Sequence, residues 1–277
     1  MVETLLFPFQ FPAMQYAFGI CVLLAVPTAL LSCFVVLKGW ALMGDAISHA
    51  VLPGIVIAYL LGMPLLIGAF GSGMLCALGA GYLTSHSRVK ADTVMGVVFS
   101  GLFAFGIVLY VAIDTDIHLD HILFGNLLGI SQAEIITAAV MSLVITVLIL
   151  LRWKDLLLYI FDPTQAKAAG LPIYILEYGL LSALTLAIIT TLNAAGLILA
   201  IGLFISPGAT AFLITKRFST MLIIAVILNL IVMTLGVYLS FFWDSAPAPT
   251  IIVLHSVCFV IIFGIKQWQC HRAKELI

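Results

Sequence analysis

The sequence predicts an all-α membrane protein, a polytopic helix bundle of eight or nine spans. Three observations carry this. Of 277 residues 64% are apolar and 8% charged, with a mean hydropathy of +1.29, whereas a soluble domain has about a quarter of its residues charged. Apolar runs of about 20 residues, enough to cross a ~30 Å hydrocarbon core, recur along the whole chain. All the basic residues between those runs fall on one side. No stretch is long or polar enough to form a separate soluble domain, so residues 1–277 are read as a single transmembrane domain.

The first run, roughly 12–37, lacks a basic n-region and exceeds the apolar core of a signal peptide, so it is read as a span and not a cleaved leader. Further runs follow at roughly 41–61, 63–84, 93–112, 133–151, 172–192, 195–214, 220–241 and 248–266. If these alternate in direction, Lys38, Arg88, Lys90, Arg152, Lys154, Lys167, Lys216, Arg217, Lys266, Arg272 and Lys274, all eleven basic residues, share one face. Positive charge is retained in the cytoplasm. The C-terminus is therefore expected inside and, with nine spans, the N-terminus outside. The opposite face carries Glu3, Asp114, Asp116, Asp120, Glu134 and Asp244 and no Lys or Arg. A re-entrant segment would lower the count to eight. Cys21, Cys33, Cys76, Cys258 and Cys270 are scattered without a CxxC, and four lie in apolar runs. They predict neither disulfides nor a thiolate metal site.

Between the fifth and sixth runs stands "FDPTQAKAAGLP" (161–172). Asp162 as N-cap, Pro163 at the first helical position, Gly170 past the last turn and a following proline specify a short helix, Pro163–Ala169. Ala166, Ala168 and Ala169 give it a small-residue face. It is either a surface element or a helix that docks in a groove of a cytoplasmic partner.

The second run contains "GDAISHAVLPG" (44–54). Asp45 and His49, at i and i+4, share one helix face. His49 falls near the midplane and Asp45 about one turn nearer the cytoplasm. An ionised Asp at such depth costs ~2.5–3.5 kcal/mol, so it needs a partner or a wet cavity. One reading is an internal hydrogen bond that fixes packing. The other is a cation path, because carboxylate oxygen with imidazole nitrogen suits a first-row divalent metal better than Na⁺, K⁺ or Mg²⁺. Two ligands are too few, and a symmetric copy facing the same pair across an axis would double them.

Other polar groups are candidates for accessory contacts. His255 lies mid-span, where it either ligates or bonds a neighbouring helix. "DTDIHLDH" gathers Asp114, Asp116, His118, Asp120 and His121 outside the membrane, as a cation collector or as a solvated loop. "ISPGAT" (205–210) breaks the seventh run, either to line a cavity or to pack closely. Asn193 and Glu177 are read as local caps without a functional role. No phosphate-loop GxxxxGK[ST], HExxH or GxSxG occurs, so the chain is not read as an enzyme and has no ATP-binding motif of its own.

Together "VVLKGWALMGDAISHAVLPGIVIAYLLG" (35–62), "HILFGNLLGIS" (121–131), "FDPTQAKAAGLP" and "GLILAIGLFISPGATAFLIT" (196–215) resemble, in the same order, the manganese, zinc and iron permeases of bacterial ABC transporters, the ABC-3 family. The likeness runs from about residue 12 to 266 and looks closest to the chelated iron and manganese permeases of Gram-negative bacteria. It implies a fold similar to the vitamin B12 and siderophore permeases and a place in the bacterial inner membrane. It also implies a second permease (the same or a homologous chain), a cytoplasmic ATP-binding subunit and an extracytoplasmic metal-binding protein. Nucleic acid has no place among these partners. On this resemblance Asp45 and His49 line the metal path. Asp162, Pro163, Ala166, Lys167, Ala169 and Gly170 belong to the helix that couples to the ATPase. No cofactor is tightly bound; Mn²⁺, Fe²⁺ or Zn²⁺ is the substrate and ATP acts on the partner.

Imidazole protonation competes with metal, so transport is expected to weaken between about pH 7.5 and about pH 5.5. Two other readings are open. A proton-coupled secondary metal transporter would work without an ATPase, and a structural membrane subunit would use Asp45 and His49 only for packing.

Overall fold

A computed structural model describes residues 7–113, 127 and 129–275. In chain order the helices are α1 (Pro12–Lys38), α2 (Met43–Leu60), α3 (Leu65–His86), α4 (Ala91–Val111), α5 (Gln132–Phe161), α6 (Pro163–Ala168), α7 (Ile173–Ala195), α8 (Leu197–Leu203), α9 (Ser206–Ile214), α10 (Phe218–Phe242) and α11 (Pro247–Glu275). Among the described residues nine helical segments are long and apolar enough to span a membrane, α8 and α9 together making the seventh. The predicted runs and these helices coincide, with two extensions. The fifth helix continues past 151 to Phe161, and the ninth past 266 to Glu275. Charges at Arg152 and Lys154 end the apolar run but do not stop a helix; the Asp162–Pro163 step does.

Local chemistry sets the other ends. α1 stops at Gly39, whose φ of +72° is left-handed and whose N–H bonds the Val35 and Val36 carbonyls. α5 starts in a reciprocal cap: the Ser131 N–H donates to the Glu134 carboxylate at 2.8 Å and the Glu134 N–H to the Ser131 hydroxyl at 3.3 Å.

In lipid, helices gain nothing by hiding leucines from one another, so small residues choose the interfaces. α1 and α2 are the innermost, each 72% buried over its span, while α4 is 17% and α5 and α11 are 22% buried. α2 is clasped by α3 and α4. At the first crossing Gly54 meets Gly68, and a Cβ on either would overlap the other's carbonyl oxygen. At the second, a Cβ on Gly106 of α4 would lie 2.8 Å from the Pro53 Cδ. The rest of the bundle packs α10, α9 and α5 on α1, with α7 joining the two halves.

The break between α8 and α9 serves packing. Pro207 and Gly208 are buried, and a Cβ on Gly208 would sit 2.6 Å from the Ser32 backbone of α1. Phe204, fully buried at the break, lies beside Gly44, with 3.5 Å between its Cβ and a Cβ placed there. The broken helix thus abuts the start of α2. Cys21, Cys33 and Cys76 are buried as free thiols, as expected of small apolar side chains.

Candidate metal path

Asp45 stands in the first turn of α2, where the helix dipole favours a carboxylate. Its Oδ1 is 3.3 Å from His49 Nε2, and the two side chains are 28% and 24% exposed. Ser48 does not compete for either, since its hydroxyl donates to the Gly44 carbonyl at 2.7 Å. The imidazole is walled by α4: its ring stacks on Phe99 at 5.8 Å between centroids and meets Phe103 edge-on at 4.9 Å. Its Nδ1 is buried and has no hydrogen-bond partner among the described residues. Ring orientation is therefore set by Asp45 on one side and two phenyl rings on the other.

This geometry suits two chemistries. Two donors bound to one first-row ion at about 2.1 Å each lie about 3.0–3.4 Å apart, from right-angle to tetrahedral arrangement. The observed 3.3 Å falls in that range, so an ion can sit between the two atoms without the helix moving. The same distance also serves an acid–imidazole contact in the absence of metal. Among the described residues no group of three His, Cys, Asp or Glu converges. A complete coordination shell needs donors from outside this set.

His255 is not brought to that pair. It is fully buried on α11, with Nε2 3.0 Å from the Asn229 side-chain oxygen on α10. The Asn229 amide donates to the Ala25 carbonyl at 2.8 Å and to the Thr28 hydroxyl at 3.0 Å, both on α1. His255 thus bolts three helices together, the packing alternative among its two readings. Asp114, Asp116, His118, Asp120 and His121 lie outside the described residues.

The short helix α6 forms where its caps place it. The Asp162 carboxylate accepts the Gln165 N–H at 2.9 Å, Pro163 opens the first turn, and Gly170 at φ +79° closes it as the Leu171 N–H bonds the Ala166 carbonyl at 3.1 Å. It ends at Ala168, one residue earlier than predicted, with Ala169 as its cap. One expected docking residue is corrected. Ala166 has no exposed surface, so it packs against its own chain and does not face a partner. Asp162, Pro163, Lys167, Ala169 and Gly170 are exposed.

Sequence reasoning did not find Phe99, Phe103 or Asn229. Asn229 had a signal, as a lone amide in an apolar run; the phenylalanines had none beyond their own i, i+4 spacing.

Nine helical segments of spanning length among the described residues define a multi-pass membrane protein. Residues 10–266 match the ABC 3 transport family, and the chain belongs to that family. It is 51% identical over 254 residues to the chelated iron transport system membrane protein YfeD of Yersinia pestis, covering 92% of this chain and 86% of that one. It is 44% identical over 254 residues to the manganese transport system membrane protein MntB of Synechocystis sp., covering 92% and 83%. Among solved structures it superposes on PsaBC from Streptococcus pneumoniae, in complex with Fab, with a TM-score of 0.84, 32% identity and 95% of each chain covered. The chain is the membrane subunit of an ABC transporter, works within such a complex and is not itself an ATPase.

Proposed function

We propose that this chain is the permease of an importer for manganese and iron, with zinc as a further cargo, and that the ion passes Asp45 and His49. The observation that carries the path is the 3.3 Å Asp45–His49 pair, about a quarter exposed within an otherwise apolar span and spaced for one ion. The metals come from the relatives, which are named for chelated iron and for manganese. Mixed oxygen and nitrogen donors admit these ions alike, so availability and delivery select among them.

The permease pairs with a second copy or a homologous chain, whose own Asp and His complete the ligand set. An extracytoplasmic binding protein delivers the ion, and an ATP-binding subunit meets α6 through its exposed residues. The side bearing all eleven basic residues is the cytoplasm, which puts the C-terminus inside a bacterial inner membrane. Nothing observed favours the proton-coupled alternative, and membership of an ABC family speaks against it.

The test is radiolabelled Mn²⁺ and Fe²⁺ uptake in transporter-deficient cells expressing the complete set of subunits. Uptake that needs an intact ATP site on the partner and survives proton uncouplers supports the proposal; uptake without the partner would sink it.

Two smaller effects are expected. Phe103→Ala removes the edge-on wall, lets the imidazole rotate and lowers Mn²⁺ uptake several-fold at unchanged membrane levels. His255→Ala leaves the Asn229 oxygen buried and unpaired, which costs about 1–3 kcal/mol. Thermal melting of the purified complex should fall accordingly, while the relative uptake of Mn²⁺, Fe²⁺ and Zn²⁺ stays as in wild type. A changed metal preference would show that His255 touches cargo.

A further inference from the structure

Lys38 is the last residue of α1, at the membrane boundary, where a lysine ordinarily extends its ammonium to water. Here it does not. Its Nζ lies 4.2 Å from the centre of the Tyr159 ring and 5.6 Å from that of Trp40, and the residue is half-buried. Tyr159 is 3% exposed, in the last turn of α5, immediately before α6. Glu177, near the start of α7 and just after α6, is in electrostatic reach of both Lys38 and the Tyr159 hydroxyl. One ammonium therefore contacts the helix that enters α6 and lies within electrostatic range of a carboxylate on the helix that leaves it. Trp40, its other aromatic neighbour, lies in the Gly39–Leu42 bend that leads into α2, and Asp45 follows within the first turn.

We infer that Lys38 is a positioning residue for transport: its cation–π clamp on Tyr159 locks the α5–α6–α7 hairpin to the α1–α2 bend, so that movement of α6 reaches Asp45 and His49. The inference rests on the function proposed above. A cation over an aromatic face is worth more when desolvated than at an exposed site; here Tyr159 is almost fully buried and Lys38 is half-buried. The ring, and not the hydroxyl, faces the ammonium, so removing the hydroxyl alone should spare the contact. Arginine can take the place of lysine because its guanidinium also stacks on aromatic faces. Methionine keeps the aliphatic stem and loses the charge.

Two measurements on the complete transporter test the clamp. The first is thermal melting of the purified complex carrying Lys38→Met, Tyr159→Leu or both. The double variant should melt within a degree or so of the worse single one, because either change alone breaks the same contact. Strictly additive shifts would show that the two residues do not interact and would overturn the clamp. The second is ATP-driven Mn²⁺ uptake into proteoliposomes with the binding protein supplied. Lys38→Met and Tyr159→Leu should lower the maximal rate about tenfold without changing the half-saturating Mn²⁺ concentration, while basal ATP hydrolysis persists. Lys38→Arg and Tyr159→Phe should keep most of the rate. Uptake by Lys38→Met within twofold of wild type, or Tyr159→Phe as impaired as Tyr159→Leu, would overturn the positioning role. A wild-type complex that moves neither Mn²⁺, Fe²⁺ nor Zn²⁺ would overturn the proposed function, whereas additive melting would overturn the clamp alone.

Discussion

His49→Ala is expected to reduce Mn²⁺ uptake about 100-fold or more at matched membrane levels. Changing a group that merely orients a metal ligand costs about 10–100-fold in affinity or activity, and His49 is placed to be the ligand itself. The loss should not come from misfolding. The imidazole is a quarter exposed, its contacts with Phe99 and Phe103 are edge and stacking contacts, and α2 is held by its glycine crossings one turn further on. Asp45→Asn should fall nearly as far, since it keeps the shape and removes the charge. Uptake in His49→Ala within a few-fold of wild type would return the pair to a packing role.

Gly54→Val should have the other large effect, on assembly. Shifting the Ser72 hydroxyl, which also crowds this position, cannot relieve the change, because the Gly68 carbonyl of the α3 backbone stands in the way as well. Forcing extra atoms into a packed core costs about 1–3 kcal/mol where side chains can shift; between two backbones the helices themselves must part. Parting them frees α4 as well, since Gly106 rides on Pro53 next to Gly54. The expected result is a sharp fall in the amount of folded protein recovered from membranes and in its melting temperature. Gly71→Ala, at a helical site where a Cβ would meet nothing within 4 Å, should be tolerated and serves as the control. Equal recovery of Gly54→Val and Gly71→Ala would show that the α2–α3 contact is looser than described.

Much of this was legible in the sequence because the membrane simplifies the code. A span must be a long apolar helix, and the nine runs coincide with nine helical segments of spanning length among the described residues. Asp45 and His49 were legible because an acid four residues from a histidine has no routine place at such depth. The caps of α6 were legible because each is a local rule involving neighbours in sequence. Three things were not. The end of α5 was missed because apolarity and helicity stop at different residues. The orientation of Ala166 was missed because an alanine carries no sign of which face will be covered. The walls of the imidazole and the Asn229–His255 bolt join residues 26 to 54 positions apart, and neither rests on a local pattern. For His255 the sequence framed both alternatives, and the amide it meets belongs to another helix.

The length of α5 carries a mechanical consequence. Its 30 residues exceed what a bilayer core needs. Some 20 of them, Gln132 to Leu151, cross about 30 Å, and the stretch 152–161 adds about 15 Å along the axis. That extension is not a free arm: Leu156 and Tyr159 on it are buried against the rest of the bundle, with Trp153 and Ile160 packed beside them. On the function proposed above, a displacement of α6 is therefore delivered sideways into the helices next to α5 as well as along its axis, and loosening that packing would spill the stroke before it altered a single contact of the ion.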